Sequence, residues 1–212
     1  MTESNGGLAN RPLAAFDLDG TLTRRDTLMP YLVRAFGPGR SYGAVLASSL
    51  RLARAAVLGG EHRDLAKAAV LGRVLAGVPL SEAAEAAESY ADHVVVHSLR
   101  PDLRARVDWH RAEGHELVLV SASPELYVGP IGRRLGFDAV LATRLEVDAA
   151  GVLTGRLAGK NCRGPEKVAR LQEWRAEGLV VTYAYGDSAG DREMLTLSLT
   201  PTKVRKRRRP PG

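Results

Sequence analysis

Two short acidic runs carry the chemistry open to this chain: Asp17-Leu18-Asp19-Gly20-Thr21 and Gly186-Asp187-Ser188-Ala189-Gly190-Asp191. A carboxylate placed as Asp17 is can attack phosphorus, giving an acyl phosphate that water later hydrolyses. Asp19, two residues on, can protonate a departing alcohol and then deprotonate the attacking water. Neighbouring carboxyl groups suit such divided roles because repulsion and metal binding push their pKa values apart. Carboxylates gathered in one crevice repel one another unless a cation neutralises them, so the two runs call for a hard divalent ion, Mg²⁺ by preference.

Further residues suit an anionic phosphoryl group. Ser121 ends the apolar run Leu117-Val118-Leu119-Val120. Its hydroxyl, with adjacent backbone N–H groups such as that of Ala122, can hold phosphate oxygens, and the helix expected from Pro124 adds its positive end. Lys167, in the first turns of a helix expected over Gly164–Glu177, can offset the charge of phosphoryl group and nucleophile. Lys160 is a rival, but there is no P-loop: Asn161 stands where Ser or Thr is required, and Thr154 where the leading Gly belongs.

The elements that must position these residues alternate. Leu13–Asp17 reads as a strand, followed by helical periodicity to about His97 with breaks at Gly37-Pro38-Gly39, Gly59-Gly60 and Gly77-Val78-Pro79. From Pro101 the pattern is helix 101–113, strand 116–120, helix 124–135, strand 139–142, a hairpin over 145–155, helix 164–177, strand 180–185 and helix 188–197. The fold class expected is α/β, a three-layer Rossmann-like core with a mostly parallel sheet and an all-helical cap inserted after the first strand. Residues 1–27 and 98–200 are assigned to the core, 28–97 to the cap, and 201–212 to a basic, flexible tail. A short edge strand around Thr202–Val204 is a further expectation. In an open parallel sheet ligands bind at the carboxyl ends of strands, which is where both acidic runs fall.

Composition bounds the rest. The 212 residues are 45% hydrophobic and 25% charged, as in an ordinary packed domain. Neither an 18-residue apolar span nor a signal-peptide core is present, which points to the cytoplasm. The net charge of +6 resides in the tail: without Lys203, Arg205, Lys206, Arg207, Arg208 and Arg209, 24 basic residues face 24 acidic ones. No specific nucleic-acid binding is expected, and contact of the tail with an anionic membrane or nucleic acid is a minor alternative to a solvated end. Cys162, the single cysteine, reads as a structural thiol, and the His93/His97 pair as a solvated helix face because no third ligand is apparent. Trp109 and His110 read as core and rim, and Arg144 and Glu146 as a hairpin ion pair.

Taken together, the motifs Asp17-Leu18-Asp19-Gly20-Thr21-Leu22-Thr23, Val120-Ser121-Ala122-Ser123-Pro124-Glu125, Lys167, and Gly186 to Leu195 resemble the haloacid dehalogenase superfamily, in its phosphoserine-phosphatase-like branch. The resemblance covers about residues 13 to 196. It implies that Asp17 is nucleophile and Mg²⁺ ligand, and that Asp19 is acid/base and ligates through its backbone carbonyl. It further implies that Asp187 completes the protein ligands, that Asp191 supports the metal from outside them, and that Ser121 and Lys167 bind phosphate. Asp19 favours phosphate-ester hydrolysis or phosphomutase chemistry, since dehalogenases lack that residue and transport ATPases carry Thr there.

The reading is therefore a Mg²⁺-dependent phosphatase acting on a small phosphomonoester, with phosphoryl transfer to another acceptor as the alternative and a tail-mediated, non-catalytic binding module as a distant one. Asp26 stands where related phosphoserine phosphatases hold the substrate ammonium, and equally where a helix cap is wanted. For a substrate carboxylate only Arg63 and Arg73 offer themselves, displaced from the family position.

Overall fold

The computed structural model describes residues 11–58 and 60–205, with the backbone alone at 55, 60, 61 and 63. Strand β1 (Leu13–Phe16) is followed by a tight turn, Leu18–Leu22, and by helices α1 (Leu28–Phe36), α2 (Pro38–Ala47), α3 (Ser49–Leu58), α4 (Gly60–Leu75) and α5 (Leu80–His97). Alternation resumes with α6 (Pro101–Ala112), β2 (Glu116–Pro124), α7 (Glu125–Arg134) and β3 (Ala139–Thr143). The hairpin β4 (Leu145–Val147) and β5 (Leu153–Leu157) precedes α8 (Pro165–Trp174), β6 (Val181–Gly186), α9 (Arg192–Leu197) and β7 (Thr200–Lys203). No helix among the described residues is long and apolar enough to cross a membrane.

Five strands form one sheet in the order β3-β2-β1-β6-β7, every neighbouring pair parallel. Alternate residues serve opposite faces, as the two-residue period of a strand demands. Ala14 and Phe16 of β1 with Leu117 and Leu119 of β2 join the core under α6, α7 and the cap; Leu13, Ala15, Val118 and Val120 join Leu171 of α8 and Met194 of α9. Because both faces are covered, the strands read as continuous apolar runs. The chain runs outward from β1 through β2 to β3, then returns to the other side of β1 as β6. Strand order therefore reverses between β1 and β6, and a crevice opens at their carboxyl ends.

The cap is helical, and the two segments joining it to the core pair with each other. Thr23 bridges to Leu99, Arg24 N donates to Ser98 O (3.1 Å) and Arg100 N to Leu22 O (2.8 Å). Across the crevice, Tyr31, Tyr90 and Tyr127 pack ring against ring, and Arg134 of α7 binds Glu88 (2.7 Å) and Asp92 (2.6 Å) of α5.

Three expectations need correction. The β4–β5 hairpin, assigned above to the core, forms its own sheet against the cap: Gly77 N donates to Leu153 O and Leu153 N to Val78 O, both at 2.9 Å. Glycine on both elements permits this crossing, since a Cβ on Gly155 would lie 2.8 Å from Gly72 O. The basic tail does not start at 201, because β7 spans Thr200–Lys203, slightly ahead of the strand expected at 202–204; residues 206–212 lie outside those described. Within the hairpin Glu146 pairs with Arg156 (2.6 Å) across the strands, while Arg144 turns to Glu125 of α7.

Candidate active site

Asp17 follows the last residue of β1 and remains tied to β6, its N–H donating to Tyr185 O at 2.9 Å. The chain then folds sharply back through Gly20, whose φ of 84° favours glycine, and Asp187 from the loop after β6 lies directly over it. A Cβ at Gly20 would stand 2.5 Å from Asp187 Oδ2, so glycine is what lets the two acidic runs meet. A second close approach, Gly186 against the Asp191 side chain, seats the other end of the second run.

Lys167 enters from the first turn of α8, which begins with Gly164 at φ 61° and Pro165. Its ammonium is buried and donates to Asp17 Oδ1, Asp191 Oδ1 and Val120 O, each at 2.7 Å, so all three protons are placed. Burial pushes the Asp17 carboxyl up, Lys167 pulls it back, and Asp191 and Asp19 repel it, leaving it at about 7. Burial also works to raise Asp191, but Lys167 and the Ser188 donors outweigh it and hold that carboxyl below its usual range. For Lys167, burial opposes the charge, and the two carboxylates more than restore it.

Asp19 points the other way, toward the cap. Thr27 N and Thr27 Oγ1 both donate to Asp19 Oδ1 at 2.7 Å, and Ser123 Oγ donates to Oδ2 at 2.6 Å. Burial and the nearby Asp26 raise this carboxyl despite those donors. A carboxyl raised in this way is better suited to proton donation than a free one.

Oxygens of Asp17, Asp187 and Asp191 lie within 4.8 Å of one another, a hard-donor set that fits a divalent cation such as Mg²⁺. The Asp19 side chain stands outside that group. Both oxygens of Asp191 also accept hydrogen bonds, Oδ1 from Lys167 at 2.7 Å and Oδ2 from Ser188 N and Oγ at 2.9 Å.

A cavity of about 120 Å³ opens onto these groups, lined by Asp17, Asp19, Asp26, Lys67, Ala122, Ser123, Arg163 and Lys167 among others. Ser121 is absent from its wall. It is fully buried, its Oγ accepts from Ser123 N (3.1 Å), and the neighbouring Ala122 and Ser123 line the cavity. Asp26 lines the cavity too, and accepts from Leu28 N, the first residue of α1, at 3.0 Å. Arg73 is exposed and bonds Ala69 O of its own helix, and the Arg63 side chain lies outside the described residues.

Lys67, Ser123, Thr27 and Arg163 were not singled out by the sequence reading. Lys67 descends from cap helix α4 and its ammonium donates to Ala122 O. Burial holds that ammonium below the usual lysine range, against the pull of Asp19, Asp26 and Asp64. Beside it, Asp64 Oδ1 accepts from Asn161 Nδ2 (2.6 Å), a further cap-to-core link. Ser123 lies within the quoted motif Val120–Glu125, two residues after Ser121, and Arg163 stands four before Lys167. Elsewhere Cys162 is buried, its thiol pushed up to about 11 by burial, and His93 and His97 are exposed.

Residues 14–196 match the haloacid dehalogenase-like hydrolase family. Protein CicA of Caulobacter vibrioides is 38% identical over 194 residues, covering 91% of this chain and 86% of that protein. A Mycobacterium tuberculosis protein described as "Probable phosphatase Rv3661" is 31% identical over 200 residues, covering 91% and 69%. Among solved structures, a substrate-bound phosphoserine phosphatase superposes with a TM-score of 0.60 at 20% identity, covering 89% and 83%.

Proposed function

The chain belongs to the haloacid dehalogenase-like hydrolase family and is a hydrolase of the phosphatase kind, and from that premise we propose that it cleaves a small phosphomonoester through a phosphoryl group carried transiently on Asp17. The observation that carries this reading is Lys167, which binds Asp17 and Asp191 at 2.7 Å beneath the cavity while Asp19 faces the cap.

A carboxylate oxygen of Asp17 attacks phosphorus and the P–O bond to the alcohol breaks, with Asp19 donating its proton to the leaving oxygen. Asp19, now ionised, takes a proton from water as that water attacks the acyl phosphate, which releases inorganic phosphate and restores both carboxyl groups. Lys167 fixes the Asp17 carboxylate and offsets charge gathering on the phosphoryl oxygens, the largest task in such transfers. Asp17 and Asp187, with Asp191 beside them and, as the family resemblance implies, the Asp19 backbone carbonyl, would hold Mg²⁺, and the bound ion would supply further neutralisation of the phosphoryl oxygens.

The substrate reading is supported by the cavity's size and by Asp26 and Lys67 in its lining. An acid and a cation there suit a leaving group with ammonium and carboxylate, of which phosphoserine is the simplest to test. The experiment is phosphate release from a panel of phosphomonoesters with Mg²⁺ and with EDTA, added acceptor alcohols separating hydrolysis from transfer. EDTA-sensitive release with no new ester is expected; a new phosphate ester, or release indifferent to EDTA, overturns the reading.

A further inference from the structure

The cap carries a surface that the phosphatase reading leaves unused. Seven of the ten residues of α3, Ser-Leu-Arg-Leu-Ala-Arg-Ala-Ala-Val-Leu, are apolar, yet no described side chain on it is buried. Leu50, Val57 and Leu58 are 74%, 83% and 60% exposed, and Leu46 of α2 and Leu65 of α4 are equally bare. Arg51 and Arg54 line a groove of about 570 Å³ with His62, Leu65 and Ala69 of α4. Between Thr27 and Gly60 the sequence holds Arg34, Arg40, Arg51 and Arg54 and no Asp or Glu.

A protein that leaves a helix of this kind uncovered has a use for it, and its charge pattern selects the occupant. A second copy of this chain in a two-fold dimer would set α3 against α3, arginines meeting arginines, and α3 itself carries no acid to offset them. Nucleic acid would pair with the arginines but leave Leu50, Val57 and Leu58 in water, and α3 has no aromatic ring on which bases could stack. An anionic bilayer satisfies both halves: apolar side chains enter the acyl boundary while arginines meet headgroup phosphates. We propose that α3, with its neighbours on α2 and α4, docks this protein on an anionic membrane surface. Lys67, on the same helix as Leu65 and Ala69, lines the active-site cavity, so α4 alone separates the docking surface from the site.

Flotation of the full chain with vesicles of phosphatidylcholine, or of phosphatidylcholine mixed with phosphatidylglycerol, tests this. Binding to the anionic vesicles only is expected, weakening as salt is raised. Each arginine at such a surface strengthens binding about fivefold, so Arg51→Ala with Arg54→Ala should weaken it roughly 30-fold. Leu50→Ser with Leu58→Ser should weaken it too, with phosphate release in solution unchanged; should that variant misfold, the arginine variant still decides. Failure to bind anionic vesicles overturns the proposal. So does binding that survives the arginine changes but is lost when residues 206–212 are removed, or a dimer in light scattering that Leu50→Ser dissolves.

Discussion

Asp187 closes directly over Gly20: a single methyl group added to that glycine would lie 2.5 Å from Oδ2 of the aspartate. The relationship ties the turn after β1 to the loop after β6, and so ties the first acidic run to the second. Gly20→Ala therefore carries two penalties, a side chain at φ 84° and a displaced carboxylate. The backbone strain costs about 1–3 kcal/mol, visible as a lower urea midpoint. Shifting Asp187 should also raise the Mg²⁺ concentration needed for half-maximal phosphate release, read by titration of the metal.

Thr27 supplies two of the three hydrogen bonds that hold Asp19. Thr27→Val keeps the backbone donor and the side-chain volume but removes the hydroxyl. Hydrogen bonds to charged groups contribute about 1.5–3 kcal/mol, so a fall in kcat of roughly tenfold or more is expected with KM little changed. Initial-rate kinetics on any accepted phosphomonoester checks this; a rise in KM at constant kcat would place Thr27 in substrate binding instead.

Lys67 is the cation that the cap delivers to the cavity. Lys67→Met keeps the length of the stem and removes the charge. KM should rise about tenfold, more than kcat falls, because the ammonium acts on the bound ester and not on the bond being broken. Lys67→Arg should recover part of the loss, and equal rates for wild type and Lys67→Met would remove the residue from substrate recognition.

His110 gives the fold an acid-sensitive point away from the active site. Expected at the rim, it is instead fully buried while Trp109 is exposed; Nε2 lies 2.9 Å from Tyr185 OH and Nδ1 2.7 Å from His115 Nδ1, and the ring packs against Phe16, Trp109 and Tyr183. Burial, with the charges of His115 and Arg106, pulls its imidazole down to about 4. Between the unfolded value of about 6.5 and about 4, the unfolded chain binds a proton that the folded one refuses. Stability therefore falls as pH drops through that window, by on the order of 3 kcal/mol at most. Urea unfolding at a series of pH values should show this slope, and His110→Gln should flatten it.

What the sequence revealed, and what it hid, follows from the range of the interactions. Asp17, Asp187 and Lys167 were readable because each sits at the end of an apolar run or a helix start, where local pattern and chain topology agree. Lys67 was not, since α4 offers several charged residues among Ala and Leu at similar spacing, and only packing decides which one faces the core. The same limit explains Glu146, whose partner Arg156 lies across a hairpin, and the glycine contact of Gly72 with Gly155 that carries that hairpin to the cap. Ser121 was singled out for its place at the strand's end, but β2 runs on to Pro124 and turns the next two residues toward the cavity.

Asp17 is the residue proposed to carry the phosphoryl group. An acid-quenched reaction, digested and mapped by mass spectrometry, tests it most directly. One phosphoryl group is expected on the peptide containing Asp17, and neither that adduct nor phosphate release from Asp17→Asn. Phosphate release by Asp17→Asn at the wild-type rate, or a phosphoryl group trapped on another residue, would contradict it.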